Sequence, residues 1–379
     1  MTHFARSDRS LIPEWWRTID KMMLASLFTL MAVGMLVSLA AGPAAAERIE
    51  LDDPYYFIYR QSAFMLLAVV LMVGMSMLST QWVRRVSAAI FLGAFLIMAL
   101  VLFVGHESKG AQRWVRLGAF SLQPSEFIKP ALMVMTAWLL AQREMFPKAP
   151  WIFIALGIYV ATVGLLLLQP DVGQTILVSA GFFITFFVSG ISLLWAAVFV
   201  GGGVLVGMGI YFTQAHVRHR LDSFFSPENA DTYQNDTARE AIERGGLMGA
   251  GVGEGEIKHD LPDAHTDFIY SVISEEFGLV ICLALIILFA LITVRGILAA
   301  SRHPDPYPRA AAAGLFAVFG LQAAINICVN VALLPNTGMT LPFISYGGSS
   351  LLGVALTLGW ALALTRRRPE ISMRRFINI

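Results

Sequence analysis

Ten stretches of mostly apolar residues run through this chain, each close to the ~20 residues a helix needs to cross the hydrocarbon core of a bilayer. They read as 22–40, 62–79, 86–105, 127–141, 151–168, 172–189, 191–211, 268–294, 310–334 and 348–365. Soluble cores cannot hide so many. Hydrophobic residues make up 57% of the 379 residues and charged residues only 14%, against about 25% charged in a typical soluble domain. The pattern predicts an all-α integral membrane protein with about ten transmembrane helices. A net charge of +1, with no long basic tract, excludes nucleic acid as a partner. The apolar content also excludes a disordered chain. Cys282 and Cys328 both fall in apolar stretches, so no disulfide framework is expected.

Lys and Arg placement predicts orientation, because cytoplasmic loops are enriched in them. Placing the N-terminus inside puts sixteen of the 27 basic residues on the cytoplasmic side. These are Arg6, Arg9, Arg17 and Lys21; Arg84 and Arg85; Arg143 and Lys148; Arg295, Arg302 and Arg309; and Arg366, Arg367, Arg368, Arg374 and Arg375. Both termini are then inside, with residues 1–21 a cytoplasmic tail, 22–365 the membrane domain and 366–379 a basic cytoplasmic tail. Ala44, Ala45 and Ala46 resemble a signal-peptide cleavage site. The leader, however, carries Asp8, Glu14 and Asp20 among its cations, so a retained first span is expected. Trp15 and Trp16 read as an interfacial anchor.

Most of the basic residues on the other face gather in specialised segments. The largest is the extracytoplasmic loop 212–266 between spans seven and eight, 55 residues with twice the average charge density of the chain. So long a loop is uncommon unless functional or disordered, and its aromatic and aliphatic residues predict a folded cap. Inside it, Gly245, Gly246, Gly249, Gly251, Gly253 and Gly255 form a glycine-rich run that reads either as a phosphate cradle or as a flexible hinge. Asp267 follows, where the aqueous loop meets span eight, with Glu275 and Glu276 two turns further in. A carboxylate at such a boundary loses solvent, which favours a general base; a helix N-cap is the alternative. No recognised ligand spacing makes a metal site of His259, Asp260, Asp263, His265 and Asp267.

Two further segments carry polar residues at the same lip. Glu126 and Lys129 lie three apart at the start of a helix and so share a face, where they can pair for function or as a structural ion pair. Asp171, in Gln169-Pro170-Asp171, is another lip carboxylate or a cap for span six. The stretch 334–350 mixes apolar residues with Pro and Gly and reads as a partly re-entrant loop. Upstream of it, Gln322, Asn326 and Asn330 recur every four residues on one face of span nine, either lining a headgroup path or bonding neighbouring helices.

Together these motifs resemble the SEDS family (shape, elongation, division and sporulation) of bacterial inner-membrane proteins. The resemblance rests on Gly110-Ala111-Gln112-Arg113-Trp114, on Gln123 to Lys129, on Gln169-Pro170-Asp171, on Arg220-Leu221 through the glycine run to Leu261–Phe268, and on Ser345–Ser350. The wording of 338–345 is closer to the division branch than to the elongation branch, whereas the charged run 237–244 departs from the usual version.

The resemblance implies a peptidoglycan glycosyltransferase that polymerises lipid II, the undecaprenyl-linked disaccharide-peptide, at the septum. The active site would face the periplasm, and the partners would be a class B penicillin-binding protein and other division proteins. It places the family's essential acid on Asp267 as catalytic base. Substrate contacts are then expected from Arg113, Lys129, Arg220, Asp171, His265 and Ser345, with Glu126 positioning Lys129. An acceptor hydroxyl needs a base, whereas a pyrophosphate leaving group needs cations more than an acid. One carboxylate among Arg and Lys is therefore the expected set, with a divalent cation (Mg or Mn) possible but no ligands for it identifiable. A lipid II flippase is the rival reading.

Overall fold

The computed structural model describes residues 10–104, 106–108, 111–117, 120–192, 194–213, 218, 222 and 233–367. Its helices are α1 (Leu11–Thr18), α2 (Lys21–Arg48), α3 (Tyr56–Ser76), α4 (Thr80–Val104), α5 (Ser125–Met145), α6 (Trp151–Leu168), α7 (Val172–Val188), α8 (Leu194–Thr213), α9 (Tyr233–Gly245), α10 (Ile257–Asp260), α11 (Ile269–Ser301), α12 (Pro306–Asn330) and α13 (Gly348–Thr365). Each of the ten expected spans coincides with one of α2–α8 or α11–α13. Seven of these helices are long and apolar enough to cross a membrane. The other three are α5, which carries Glu126, Lys129 and Arg143, α7, which has 17 residues, and α8.

One part of the expected tail is ordered. Residues 11–18 form α1, whose Trp15 is buried and donates its indole N–H to Ser76 Oγ at 2.8 Å. Asp20 caps α2 by accepting from Met23 N at 3.1 Å. Ala44, Ala45 and Ala46, the cleavage-like triplet, are buried within α2.

The one departure from an all-helical fold, among the described residues, lies between α4 and α5. Strands β1 (His106–Ser108), β2 (Ala111–Leu117) and β3 (Phe120–Leu122) form an antiparallel sheet in the order β1-β2-β3. Its register pairs Glu107 with Gln112 and Arg116 with Ser121.

The bundle is centred on α13 and α12, whose most apolar windows are 78% and 67% buried, whereas α6 is 17% buried and leaves most of its surface to lipid. Around them α13 packs on α3, and α12 on α5, α7 and α11. Lipid tails are as apolar as Leu, so helices in a bilayer gain little from hiding apolar surface from one another and rely on close packing. The α7–α12 contact illustrates this. A Cβ on Gly181 would stand 2.3 Å from Val318 Cγ2, and one on Gly314 would stand 2.0 Å from Thr185 Oγ1. Both Cys282 and Cys328 are free thiols.

Candidate functional site

Asp267 lies two residues ahead of α11, whose N-cap position belongs to Phe268 and has no side-chain cap. A tight turn precedes it. Asp263 adopts φ +56, a left-handed conformation that Asp tolerates better than most residues, and its carbonyl accepts from Thr266 N at 3.0 Å and Phe268 N at 3.2 Å. The turn leaves Asp267 half-buried at the end of an apolar helix.

The residues that hold Asp267 are the amide stripe on α12. Asn326 Nδ2 and Asn330 Nδ2 each donate to the Asp267 carbonyl at 2.9 Å. Asn330 Oδ1 also accepts from Ser271 N at 3.0 Å and Ser271 Oγ at 2.9 Å, pinning the first turn of α11. Asn326 Nδ2 reaches Met339 O at 2.7 Å, and Gln322 Nε2 reaches Thr340 O at 3.1 Å. The stripe thus fastens the re-entrant loop 334–347 beside Asp267. Within that loop Gly338 has φ +68, and a Cβ built there would lie 4.0 Å from Asp267 Oδ2, so the loop backbone borders the carboxylate.

Two expected substrate contacts belong to this clamp. Ser345 is buried; its hydroxyl donates to Thr266 O at 2.6 Å and accepts from Leu341 N at 2.7 Å. The His265 ring packs in a three-ring cluster with Phe57 and Tyr346, with centroids 4.5 Å and 5.5 Å away, while its carbonyl accepts from Tyr346 N at 2.8 Å. Burial pushes the Tyr346 hydroxyl above its ordinary pKa, against the pull of Arg60 nearby. Both Ser345 and His265 therefore shape the Asp267 segment.

Beneath Asp267, α11 is broken. Gly278 has φ 76 and ψ 179 inside the helix, which frees backbone groups that a membrane cannot solvate. The glycine-rich run supplies their partners. Ala250 N donates to Glu275 O at 2.8 Å, Gly251 N to Glu276 O at 3.1 Å, and Leu279 N to Gly246 O at 3.0 Å. A Cβ on Gly249, itself at φ +81, would fall 2.2 Å from Glu276 O. The run is a backbone splice that needs glycine for close approach.

The two glutamates complete this base. Glu275 accepts from Ile257 N at 2.8 Å and Lys258 N at 3.1 Å, capping the short α10 from another element. Glu276 pairs with buried Lys258, whose Nζ also reaches Ala40 O and Gly253 O at 3.3 Å. With α9 packed on α11, the part of loop 212–266 that is described forms the expected folded cap.

A second polar cluster joins through Gln322. Lys129 Nζ donates to Glu126 Oε2 at 3.0 Å and to Gln322 Oε1 at 2.9 Å, and Gln174 Nε2 donates to Glu126 Oε1 at 2.6 Å. Lys129 and Glu126 are only 2% and 3% exposed. The expectation that Lys129 meets phosphate directly is thus corrected, since its ammonium is buried and turned to protein acceptors. Asp171 caps α7 through Gln174 N at 3.3 Å and pairs with Arg113 at 3.5 Å. Burial raises the Asp171 carboxyl above its usual pKa, partly opposed by Arg113. Arg113, on β2, also donates to Gln169 O at 3.3 Å and to Pro170 O, latching the sheet to the α6–α7 turn. Of the predicted cations Arg113 stays partly open, with a side chain 20% exposed. Arg220 lies outside the described residues.

The site thus includes members that sequence reasoning did not place there. Asn326 and Asn330 were visible as a stripe, but no spacing tells an amide that bonds a neighbouring helix from one that grips the Asp267 segment. Gln174 carried no signal beyond its position one turn after Asp171.

Comparison with known proteins agrees with this architecture. The family profile described as Cell cycle protein, covering the FtsW, RodA and SpoVE proteins, matches residues 20–369. A protein of Caulobacter vibrioides named probable peptidoglycan glycosyltransferase FtsW is 49% identical over 370 residues, spanning 97% of this chain and 95% of the relative. A protein of Pseudomonas fluorescens with the same name is 32% identical over 90% of this chain and 88% of its own. Among solved structures, one described as "Structural coordination of polymerization and crosslinking by a peptidoglycan synthase complex" superposes with a TM-score of 0.75 at 28% identity, over 92% of this chain and 97% of that one. The rod shape determining protein RodA of Thermus thermophilus gives 0.67 at 29% identity, over 92% and 97% of the two chains. With most of its length matched by that profile and by these relatives, the chain belongs to the FtsW, RodA and SpoVE family of multi-pass membrane proteins.

Proposed function

We propose that this protein is a division peptidoglycan glycosyltransferase, with Asp267 as its general base. The observation that carries the reading is the clamp at Asp267: two amides hold its carbonyl while its carboxylate borders the backbone of the re-entrant loop at Gly338. Holding the peptide unit orients the side chain without engaging those amides with the carboxylate. Pre-set orientation of this kind is what proton transfer needs.

The substrate is lipid II. The carboxylate of Asp267 takes the proton of an acceptor sugar hydroxyl as that oxygen attacks the anomeric carbon of the donor. The bond from that carbon to the lipid pyrophosphate breaks, the pyrophosphate leaves with the electron pair, and attack from the opposite side inverts the centre. A single carboxylate suffices, because pyrophosphate leaves without a proton donor. Arg113, partly open at the lip, supports a role as a cation for the leaving group; Arg220, outside the described residues, is the second cation of this reading. Among the described residues no three carboxylate, imidazole or thiol groups converge as a metal cage. A divalent ion such as Mg or Mn is therefore given no step here.

The active end faces the periplasm of the inner membrane, at the septum, as the Lys and Arg distribution and the division-named relatives support. The transpeptidase partner is a class B penicillin-binding protein; the likeness to a polymerisation and crosslinking complex supports a pairing of this kind.

A flippase is the second reading, favoured by the buried Glu126–Lys129–Gln322 track between helices. One experiment separates the two. The full chain and its Asp267→Ala variant are purified with the transpeptidase and supplied with lipid II. Glycan chains are resolved on gels, and translocation is followed in vesicles. Loss of glycan in the variant is expected. Normal chain lengths would overturn the assignment, and lost translocation with intact polymerisation would favour the flippase.

A further inference from the structure

A large cavity lies far from Asp267. It opens where α11 ends, 33 residues or roughly 50 Å of helix from that carboxylate. Its volume is about 1180 Å³, more than the ~300–1,000 Å³ of a typical small-molecule site. Nothing in the glycosyl transfer uses it.

Its wall has two chemical halves. Arg17, Lys21, Arg295, Arg302, Arg366 and Arg367 line it against the single carboxylate of Asp20, six cations to one anion and a local excess of +5 with His303 neutral. Some of that charge is spent internally. Arg295 forms a two-pronged pair with Asp20 at 2.8–3.0 Å. Arg366 donates to Thr18 Oγ1 at 2.9 Å and Met77 O at 3.1 Å, with Glu14 at 3.6 Å. Lys21, Arg302 and Arg367 make no ion pair to any described carboxylate; Lys21 instead stands 5.2 Å over the Trp16 ring. The other half is apolar, with exposed Met22, Val294 and Leu298 on the same wall.

An ammonium and two guanidinium groups beside an open apolar face match a molecule with an anionic phosphate at one end and hydrocarbon at the other. We propose that this cavity binds an anionic membrane phospholipid, its phosphate at Lys21, Arg302 and Arg367 and its acyl chains along Val294 and Leu298. A free phosphate shares the first half of that chemistry and has no use for the second. The site bridges α1, α2, α11 and α13, so an occupied headgroup ties these helices together at the end opposite the clamp.

The test uses the full chain in detergent, delipidated and then titrated with phosphatidylglycerol, phosphatidylcholine or inorganic phosphate, with bound lipid counted by native mass spectrometry and stability followed by thermal unfolding. Phosphatidylglycerol is expected to bind one per chain and to raise the unfolding temperature well beyond phosphatidylcholine. The double variant K21Q/R302Q should bind it roughly 30-fold more weakly, from about fivefold per basic residue removed. Arg302 lies beyond the last turn of its helix and Lys21 contacts only an exposed ring, so this variant keeps the fold. Equal binding of the two lipids by the wild-type chain would overturn the proposal without recourse to any variant. Unchanged affinity in K21Q/R302Q would overturn it too. An equal shift from inorganic phosphate would reassign the cavity to a free anion.

Discussion

Asp267 and Glu126 are both carboxylates in a largely apolar bundle, and the protein holds them in opposite ways. At Asp267, Asn326 and Asn330 grip the backbone carbonyl. At Glu126 they go to the side chain itself, with Lys129 on one oxygen and Gln174 on the other. A carboxylate with both oxygens committed to buried partners, as at Glu126, is poorly placed to accept a further proton, whereas at Asp267 it is the peptide unit that the two amides clamp. The difference separates a candidate base from a structural pair, and it also fits their exposure: Asp267 is half-buried and Glu126 is buried.

The contrast can be broken from either side. The largest effect is expected at Asp267. Replacing it by Asn keeps the clamped carbonyl and removes the base, so glycan synthesis should fall by roughly 10²–10⁴-fold while the unfolding temperature stays within a degree or two. A comparable fall in stability would mean that the carboxylate is structural after all.

At the other site the ranking should reverse. Lys129→Met strands Glu126 as an unpaired buried charge, and loss of one partner of such a pair costs about 3–5 kcal/mol. Thermal unfolding should report it, and adding Glu126→Leu should restore much of the loss. A stable Lys129→Met chain with full glycan output would remove the pair from the account.

Smaller effects are expected where the clamp is loosened. Asn326→Ala deletes three hydrogen bonds, those donated to Asp267 O and Met339 O and the one its Oδ1 accepts from Asn330 Nδ2, and such bonds in membranes are each worth about 0.6 kcal/mol on average. Turnover should drop more than stability, with KM little changed, because the loss is one of orientation. An equal change in both would make Asn326 an ordinary helix tie.

The smallest effect concerns pH at the far end. Burial alone would raise the Asp20 carboxyl, but the hydrogen bond from Arg295 and the N–H of Met23 outweigh it and hold the value below its ordinary 3.8. A lowered carboxyl stabilises the fold above its unfolded value and loses that contribution as pH falls through the folded one. Unfolding temperatures taken across pH 5 to 2 should therefore drop less steeply for Asp20→Asn than for the wild-type chain. Identical slopes would show that the pair contributes nothing measurable.

The glycine run shows why part of the site could not be read in advance. Six glycines in eleven residues mark a place where backbone must approach something closely, and the sequence offers no hint of what. The something is the break at Gly278, on another element and more than twenty residues downstream. Lys258, one of the charges of the same loop, is buried against Glu276, which its place in the sequence does not signal. Glu275 and Glu276 read as carboxylates inside a span, and they are the cap of α10 and the partner of Lys258.

The sequence by itself determined the solvent, the class and the lip at which the polar residues gather. Those follow from local facts: apolar runs long enough to span, the scarcity of charge, and carboxylates placed where runs begin. It also singled out Asp267, through motifs that resemble a family. The tertiary structure decided what each polar residue does, assigning Ser345, His265, Asn326 and Asn330 to the clamp and enclosing Lys129 with Glu126 and Gln322. A buried polar group in a bilayer must find a partner, and the partner comes from whichever helix the fold brings alongside. That choice is set by packing among distant segments, which no spacing within one segment records.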